Sequence, residues 1–218
     1  RHRNEFDHVH GGIQAREGRL EEAETLYKRS VSIRERTKGT EHEDVAQGLF
    51  MLASVQRDRG LLEEAAASAR RVLALYRKIG GSEEAGTAKA EALLATVLHA
   101  EGSYGEAKGQ FQHAIQILEQ RMGRGNPATL AALKDLARSE CSAGEHAAAL
   151  EHAREAAAGF ALRIEQSRKS DALEFEAKGA FPALVCAAYG LSRQEPSQRE
   201  ALAGEALVAA QREGRTTA

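Results

Sequence analysis

Histidine is the side chain that most often binds metals and moves protons near neutral pH. The chain has eight histidines: His2, His8, His10, His42, His99, His113, His146 and His152. No two of them have the i, i+4 spacing of a helical zinc site, and no glycine-rich phosphate loop or nucleophile pair accompanies them. The pattern predicts ordinary surface or groove histidines. It predicts no catalytic residue, no metal site and no cofactor.

Two cysteines, Cys141 and Cys186, are the other candidates for chemistry. They lie too far apart for a Cys-x-x-Cys motif and do not indicate a disulfide framework. We therefore expect unpaired thiols in a reducing compartment, with the cytoplasm as the predicted location. No Cys and His pair is apparent near Cys141 in sequence, which favours helix packing over a redox or catalytic role.

The composition favours helices and a protein partner. Aromatic residues make up 5% of the 218 residues, Trp is absent and only three Pro occur, while Val, Ile and Thr never cluster into alternating runs. These features predict an all-α fold. Thirty basic against thirty-two acidic side chains argue against nucleic-acid binding as the main activity. No apolar run approaches the roughly 18 residues that cross a bilayer, so no membrane insertion is expected.

Glycines divide the chain into repeats of 42 residues. One series comprises Gly18, Gly60, Gly102 and Gly144, and a second, 21 residues later, comprises Gly39, Gly81 and Gly123. Between them, apolar residues such as Leu49, Leu52 and Ala53 recur at helical spacings of three and four. Helix starts are indicated at Thr40-x-x-Glu43, Ser82 and Asn126-Pro127. Each repeat is therefore predicted to be a pair of helices closed by glycine turns.

Small residues recur at fixed points of each repeat. The first helices carry Leu52-Ala53, Leu94-Ala95 and Leu136-Ala137, and the second helices carry Ala23-x-x-x-Tyr27 and Ala107-x-x-x-Phe111. These positions resemble the tetratricopeptide repeat family. The 42-residue period and the sequences at 18–30 and 39–46 are similar to the kinesin-light-chain subclass. The resemblance covers residues 4–164, although Ala69 and Ala153 replace the aromatic of the second helix.

The resemblance implies a right-handed α-α superhelix, a solenoid of about five helix pairs in a single domain over 1–218. The predicted repeats are 4–39, 40–81, 82–123 and 124–168, followed by a divergent closing pair at 169–214. Glu165 stands where the series predicts glycine. In the closing pair we expect a helix at 171–190, broken or kinked at Pro182, a second from Ser197 to Glu213, and a loose tail from Gly214.

The first helix looks cut at its N-terminal side. Gly11 and Gly12 both lie within it, and nothing upstream covers its apolar residues. We expect further repeats or another domain before Arg1 in the parent protein.

In this family the first helix of each pair lines the inner groove, so the resemblance also implies a binding surface. The candidate residues are His8, Arg16, Phe50, Ser54, Arg57, Lys89, Thr96, His99, Lys134 and Arg138. The complete set of predicted groove positions contains five cationic and two acidic residues, and this excess of positive charge suggests an acidic partner. Arg57 and Arg138 are the candidates for bidentate contacts and Phe50 for an apolar anchor.

The resemblance implies an interaction scaffold that holds a protein or peptide segment in this groove. An alternative is the regulatory or sensor arm of a larger multidomain protein or enzyme. An enzyme in its own right is not expected, because no catalytic constellation is present.

Overall fold

The computed structural model describes residues 10–80, 84–166 and 180–216, except the side chains of 165–166 and 210–216. The chain forms two compact units, the first ending at Ser103 and the second beginning at Tyr104. Unit 1 contains α1 (10–16), α2 (Leu20–Lys38), α3 (Glu43–Asp58), α4 (Leu62–Gly80) and α5 (Ala85–Ala100). Unit 2 contains α6 (Tyr104–Met122), α7 (Pro127–Ser142), α8 (His146–Gln166), α9 (Ala180–Gln194) and α10 (Arg199–Thr216).

The helices begin at the spacing of the glycine series. The first helices α3, α5 and α7 begin 42 residues apart, at Glu43, Ala85 and Pro127. The second helices α2, α4, α6 and α8 keep the same interval, at Leu20, Leu62, Tyr104 and His146. The predicted period therefore sets the helix starts, while the exact repeat boundaries and the single-domain organisation stay predictions.

The turn glycines adopt the conformation that the sequence predicted for them. Gly60, Gly102 and Gly144 have φ of 77°, 83° and 82°, a region that other residues seldom occupy. Gly123 in the second series has φ of 85°, whereas Gly81 lies outside the described residues. Where the series lacks its glycine, at Glu165, α8 continues to Gln166.

The helix caps agree with the sequence in one case and differ in another. Asn126 caps α7 as predicted, since its Oδ1 accepts a hydrogen bond from the Ala128 N–H at 2.9 Å. The predicted cap at Thr40 is wrong, because the ring of His42 caps α3 by accepting from the Asp44 N–H at 3.1 Å. Ser82 lies outside the described residues.

Within each unit, consecutive helices pack through small residues. In unit 1, α2, α3, α4 and α5 pack in chain order, and Ala23, Ala53, Ala65 and Ala95 are fully buried. A side chain larger than alanine at these points would separate the helices. Tyr27, the aromatic of the repeat signature, is also fully buried.

In unit 2, α9 packs against both α7 and α8, and α10 packs against α9. One apolar cluster joins these four helices and includes Ala137, Leu150, Leu184 and Leu202. Six alanine and leucine side chains are buried along α9. Burial of this apolar surface is therefore the main contribution that stabilises the packing of the helix.

The closing pair departs from two expectations. Residues 171–179 of the predicted helix lie outside the described residues, so the break or kink expected at Pro182, near the start of α9, stays a prediction. The second helix begins at Arg199, after a 3₁₀ turn from Pro196 to Gln198, and not at Ser197. The tail expected to be loose from Gly214 is helical as far as Thr216.

A polar link between the two helices of a pair occurs twice at the same register. In unit 1 the Ser68 hydroxyl donates to Gln56 Oε1 at 2.8 Å. In unit 2 the equivalent positions, 84 residues later, are Glu140 and His152, with His152 Nδ1 2.8 Å from Glu140 Oε2. Glu140 is 1% exposed, and its hydrogen bond holds the pKa of His152 above the ordinary value. The link is thus neutral in one pair and ionisable in the other.

The ionisable link makes the stability of unit 2 depend on pH. A raised folded-state pKa means that the contribution of His152 is fully present below its unfolded pKa of about 6.5 and is lost as pH rises through the folded value. We expect the double variant Glu140→Gln with His152→Ser, which copies Gln56 and Ser68, to lose this dependence. Denaturant midpoints of both proteins between pH 5.5 and 9 measure it. Parallel pH profiles would contradict the assignment.

Candidate peptide-binding surface

The unit 1 stripe is the side of α3 and α5 that carries the predicted groove residues, all of them exposed or half-buried except Thr96, which is 7% exposed. We define it by the predicted groove residues Phe50, Ser54, Arg57, Lys89, Thr96 and His99. The three on α3 follow one another at spacings of four and three, so they lie on one side of that helix. The buried residues of α3, such as Leu49, Leu52 and Val55, lie between them. Because α3 and α5 pack against each other, the two helices present one continuous surface.

Arg57 joins the two helices of the stripe. Its Nη1 donates to Thr96 Oγ1 at 2.9 Å, and Nε and Nη2 donate to Asp58 Oδ1 at 2.9 and 2.7 Å. The Thr96 hydroxyl donates in turn to the Leu93 carbonyl at 2.7 Å. The guanidinium is therefore held by Asp58 and Thr96, and its charge is partly offset before any partner arrives.

The other members of the unit 1 stripe differ in exposure. Phe50 is half-buried, and the Ser54 hydroxyl donates to the Phe50 carbonyl at 3.1 Å. His99 is also half-buried, whereas Lys89 is exposed and forms no ion pair with any residue that the structure describes. Lys89 is thus the uncompensated cation of this stripe.

The unit 2 stripe carries the predicted residues Lys134 and Arg138 on α7. Arg138 is 52% exposed, and its Nη2 lies 3.6 Å from Asp135 Oδ1. An exposed pair at this distance contributes about 0 to 1 kcal/mol, so it leaves Arg138 able to exchange Asp135 for another carboxylate.

The contribution of α9 to this second stripe was not predicted from the sequence. Cys186, Tyr189 and Arg193 are exposed and follow one another at spacings of three and four on one side of α9. Tyr189 is 63% exposed, an aromatic ring on a helix that packs against α7. No turn glycine fixes the register of this helix, so the extrapolated groove positions stopped at α7.

The first repeat contributes two predicted groove residues, His8 and Arg16. His8 lies outside the described residues. Arg16 is exposed at the end of α1, and its charge lowers the pKa of Tyr27 against the larger, raising effect of burial.

The cysteines overturn one prediction. Cys141 and Cys186 form a disulfide, with their Cα atoms 6.5 Å apart, so the expectation of unpaired thiols is wrong. Their sequence separation of 45 gave no sign that they lie on successive first helices, α7 and α9, which pack together. The prediction of a reducing compartment rested on unpaired thiols and loses that support.

A histidine also lies beside this disulfide. The turn at Gly144 brings His146, the first residue of α8, back toward the last turn of α7, and His146 Nδ1 is 3.7 Å from Cys141 Sγ. No such pair was predicted near Cys141 from the sequence. The loop of three residues between the end of α7 and the start of α8 was the signal that could have shown it.

The disulfide and the Arg57 link occupy matching places in the two units. Arg57 and Cys141 each lie three residues before a turn glycine, Gly60 and Gly144. Each connects its own first helix to the next one in the same unit. This register position therefore serves as a tie between successive inner helices.

The described residues contain neither a cluster of metal ligands nor a membrane-spanning helix. In ranges 10–80, 84–166 and 180–216, no group of three or more His, Cys, Asp or Glu side chains is placed to hold a metal ion. None of the helices in those ranges is long and apolar enough to cross a membrane.

A match to a family model shows the family to which the chain belongs. The model of the tetratricopeptide repeat family matches residues 7–78 and 86–161. The chain therefore belongs to the tetratricopeptide repeat family, whose fold is a type of protein-interaction scaffold. No curated protein matches the chain in sequence.

Solved structures share the fold across nearly the whole chain. Putative kinesin light chain repeats from Podosopora anserina match with a TM-score of 0.70 and 20% identity, over 94% of each chain. BtubC (BKLC) from P. vanneervenii matches with a TM-score of 0.71 and 17% identity, over 98% of this chain and 79% of that one. The predicted fold class, an all-α tetratricopeptide solenoid with kinesin-light-chain-like repeats, is confirmed.

A Rap protein complexed with Competence and Sporulation Factor also shares the fold. It matches with a TM-score of 0.75 and 16% identity, over 98% of this chain. The match covers 53% of the Rap chain, so this chain spans about half the length of that protein.

Proposed function

We propose that each unit of this chain holds an acidic peptide segment of a partner protein against its own inner-helix stripe. The observation that carries the proposal is the unit 1 stripe, where the exposed Lys89 of α5 and the half-buried Phe50 of α3 lie on helices that the Arg57–Thr96 hydrogen bond joins. A preorganised surface of this kind loses little freedom when a peptide binds.

The stripe residues have different roles in the proposed binding. Phe50 offers an apolar contact, the feature that most often anchors a bound segment. Lys89 in unit 1 and Arg138 in unit 2 supply positive charge that is either uncompensated or weakly paired. Arg57 acts mainly as a tie between α3 and α5, because Asp58 already accepts two of its hydrogen bonds. We therefore assign charge recognition to Lys89 and Arg138 in preference to Arg57.

The structural similarity to a Rap protein supports the proposal that the ligand is a peptide. The Rap structure is described as a complex with Competence and Sporulation Factor, and its fold matches 98% of this chain. At 16% identity the likeness extends to the fold, so the residues and the acidic preference rest on this chain's own surface.

Charge reversal at Lys89 and Arg138 tests the proposal. We expect Lys89→Glu with Arg138→Glu to weaken binding of a labelled Asp- and Glu-rich peptide by about tenfold or more, a change of about 1.4 kcal/mol. Fluorescence anisotropy at 50 and 300 mM salt measures it, and wild-type affinity should fall with salt because exposed charges are screened.

Arg36→Glu with Arg70→Glu is the matched control, since it makes the same charge change at exposed positions of the second helices α2 and α4, outside the stripes. It should bind the peptide within about twofold of wild type, a difference below 0.5 kcal/mol. Equal affinities for the stripe variant and the Arg36→Glu with Arg70→Glu control would reject the acidic-peptide proposal, as would equal binding of an Asn- and Gln-rich peptide of the same length.

The regulatory alternative draws on the same likeness, because the match covers 53% of the Rap chain and leaves the rest of that protein unmatched. In that case the repeats would act as the sensing part of a longer polypeptide, and peptide binding would change the activity of a neighbouring domain. Adding the peptide to the complete parent protein and assaying that domain tests it. The cytoplasmic location stays a prediction.

A further inference from the structure

We propose that the Cys141–Cys186 disulfide is a thiol–disulfide exchange site, at which a small thiol forms a mixed disulfide with Cys186 and Cys141 acts as the resolving thiol. The two sulfurs and His146 lie in unit 2, where Cys186 belongs to the stripe, but the exchange reaction requires no bound peptide.

The two sulfurs stand in unequal surroundings. Cys141 is 5% exposed within the apolar cluster of unit 2, whereas Cys186 is exposed on α9. Exchange requires a thiolate to reach one sulfur of the disulfide. An incoming thiol therefore meets Cys186, and Cys141 is the leaving group.

His146 is placed to stabilise that leaving group. Its Nδ1 lies 3.7 Å from Cys141 Sγ, within the range of a hydrogen bond to sulfur. A thiolate released into a buried site is costly unless a donor faces it. An N–H at Nδ1 supplies that donor at the side where the negative charge appears.

Gly190 leaves the space that the imidazole of His146 occupies. A Cβ built at Gly190 would lie 2.3 Å from His146 Nδ1, so the ring fits between α9 and the disulfide only because residue 190 has no side chain. The same helix carries Cys186, four residues earlier, so one face of α9 presents both the sulfur and the space for the ring.

The reaction is balanced with two equivalents of thiol. The first thiolate attacks Cys186 Sγ, the Cys141–Cys186 bond breaks, and Cys141 leaves as a thiolate that accepts the hydrogen bond from His146. A second thiolate then attacks the external sulfur of the mixed disulfide, or Cys141 attacks Cys186 and restores the original bond. In full reduction, two thiols become one disulfide, and the protein gains two thiol groups.

The fold survives the break, because α9 is also held by apolar contacts. Leu184 and Leu191 of α9 pack in one cluster with Ala137 of α7 and Leu150 of α8. Exchange is therefore a reaction of the folded chain and does not require global unfolding.

The test treats the oxidised 218-residue chain with reduced glutathione, traps the products with N-ethylmaleimide and locates the adduct by peptide mass spectrometry. We expect the glutathione adduct on Cys186 in at least about tenfold excess over Cys141. The rate should rise linearly with glutathione concentration. An adduct mainly on Cys141, or a rate that reaches a plateau set by unfolding, would overturn the proposal.

Two histidine variants test the role of the imidazole. His146→Gln should slow the exchange by about tenfold, because the leaving thiolate loses its donor. His113→Gln, at an exposed position of α6 in the same unit, should exchange at the wild-type rate. Circular dichroism establishes that both variants are folded. If the two variants exchange at the same rate, His146 does not assist the reaction.

Discussion

Replacing Phe111 by alanine should lower the free energy of unfolding by about 3 to 5 kcal/mol, because the change empties a fully buried site in the core of unit 2. Phe111 is 0% exposed on α6 and is the aromatic of the repeat signature. Guanidinium unfolding followed by circular dichroism at 222 nm measures the loss as a lower denaturant midpoint.

Phe50 is the matched control for this prediction. It is the same residue type on α3, but it is half-buried at the stripe and not enclosed by the core. Phe50→Ala should change the free energy of unfolding by about 1 kcal/mol or less while weakening peptide binding. If both substitutions shifted the midpoint equally, the predicted separation of core and binding aromatics would be wrong.

The same signature position shows why the repeats tolerate variation. Tyr27 and Phe111 are fully buried aromatics, and the equivalent Ala69 and Ala153 are fully buried as well. A buried alanine in place of an aromatic requires the neighbouring helices or side chains to fill the volume. The sequence therefore predicts where the core lies at these four positions, but not how each pair packs around them.

The helices were predictable because local chemistry determines them. A turn glycine needs a positive φ that other residues avoid, and an Asn before a Pro favours a helix start, so Gly60, Gly144 and Asn126 mark helix ends without reference to the rest of the chain. The misplaced cap of α3 has a local cause too. His42 lies directly before the helix and its ring nitrogen accepts the bond, a role that sequence preferences assign to Thr40.

The site was less predictable because it depends on contacts between repeats. The register placed Arg57 and Thr96 on the inner helices, but their hydrogen bond requires the packing of α3 against α5. The partner of Cys141 is harder still to infer, since the fifth pair has no turn glycine to fix the position of Cys186. Periodicity predicts positions within a repeat, whereas pairing across repeats needs the three-dimensional arrangement.

Loss of the disulfide is the second large effect. We expect Cys186→Ser to lower the free energy of unfolding by about 2 to 4 kcal/mol, because the bond between residues 45 apart restricts the unfolded chain. Cys186 is the better site for this substitution, since it is exposed and serine there places no hydroxyl in the core. The measurement is again the denaturant midpoint, made without reductant.

The reduced wild type is the control that separates the bond from the side chain. In dithiothreitol the wild-type midpoint should fall to that of Cys186→Ser, while the variant should be unaffected by the reductant. Ala137, Leu184 and Leu191 still pack α9 against its neighbours after the bond breaks, so both proteins should keep their helical signal at low denaturant. A reductant-insensitive wild type would show that the Cys141–Cys186 bond does not stabilise unit 2. A reduced chain that lost the signal of α9 and α10 would show that the apolar cluster alone cannot hold the closing pair.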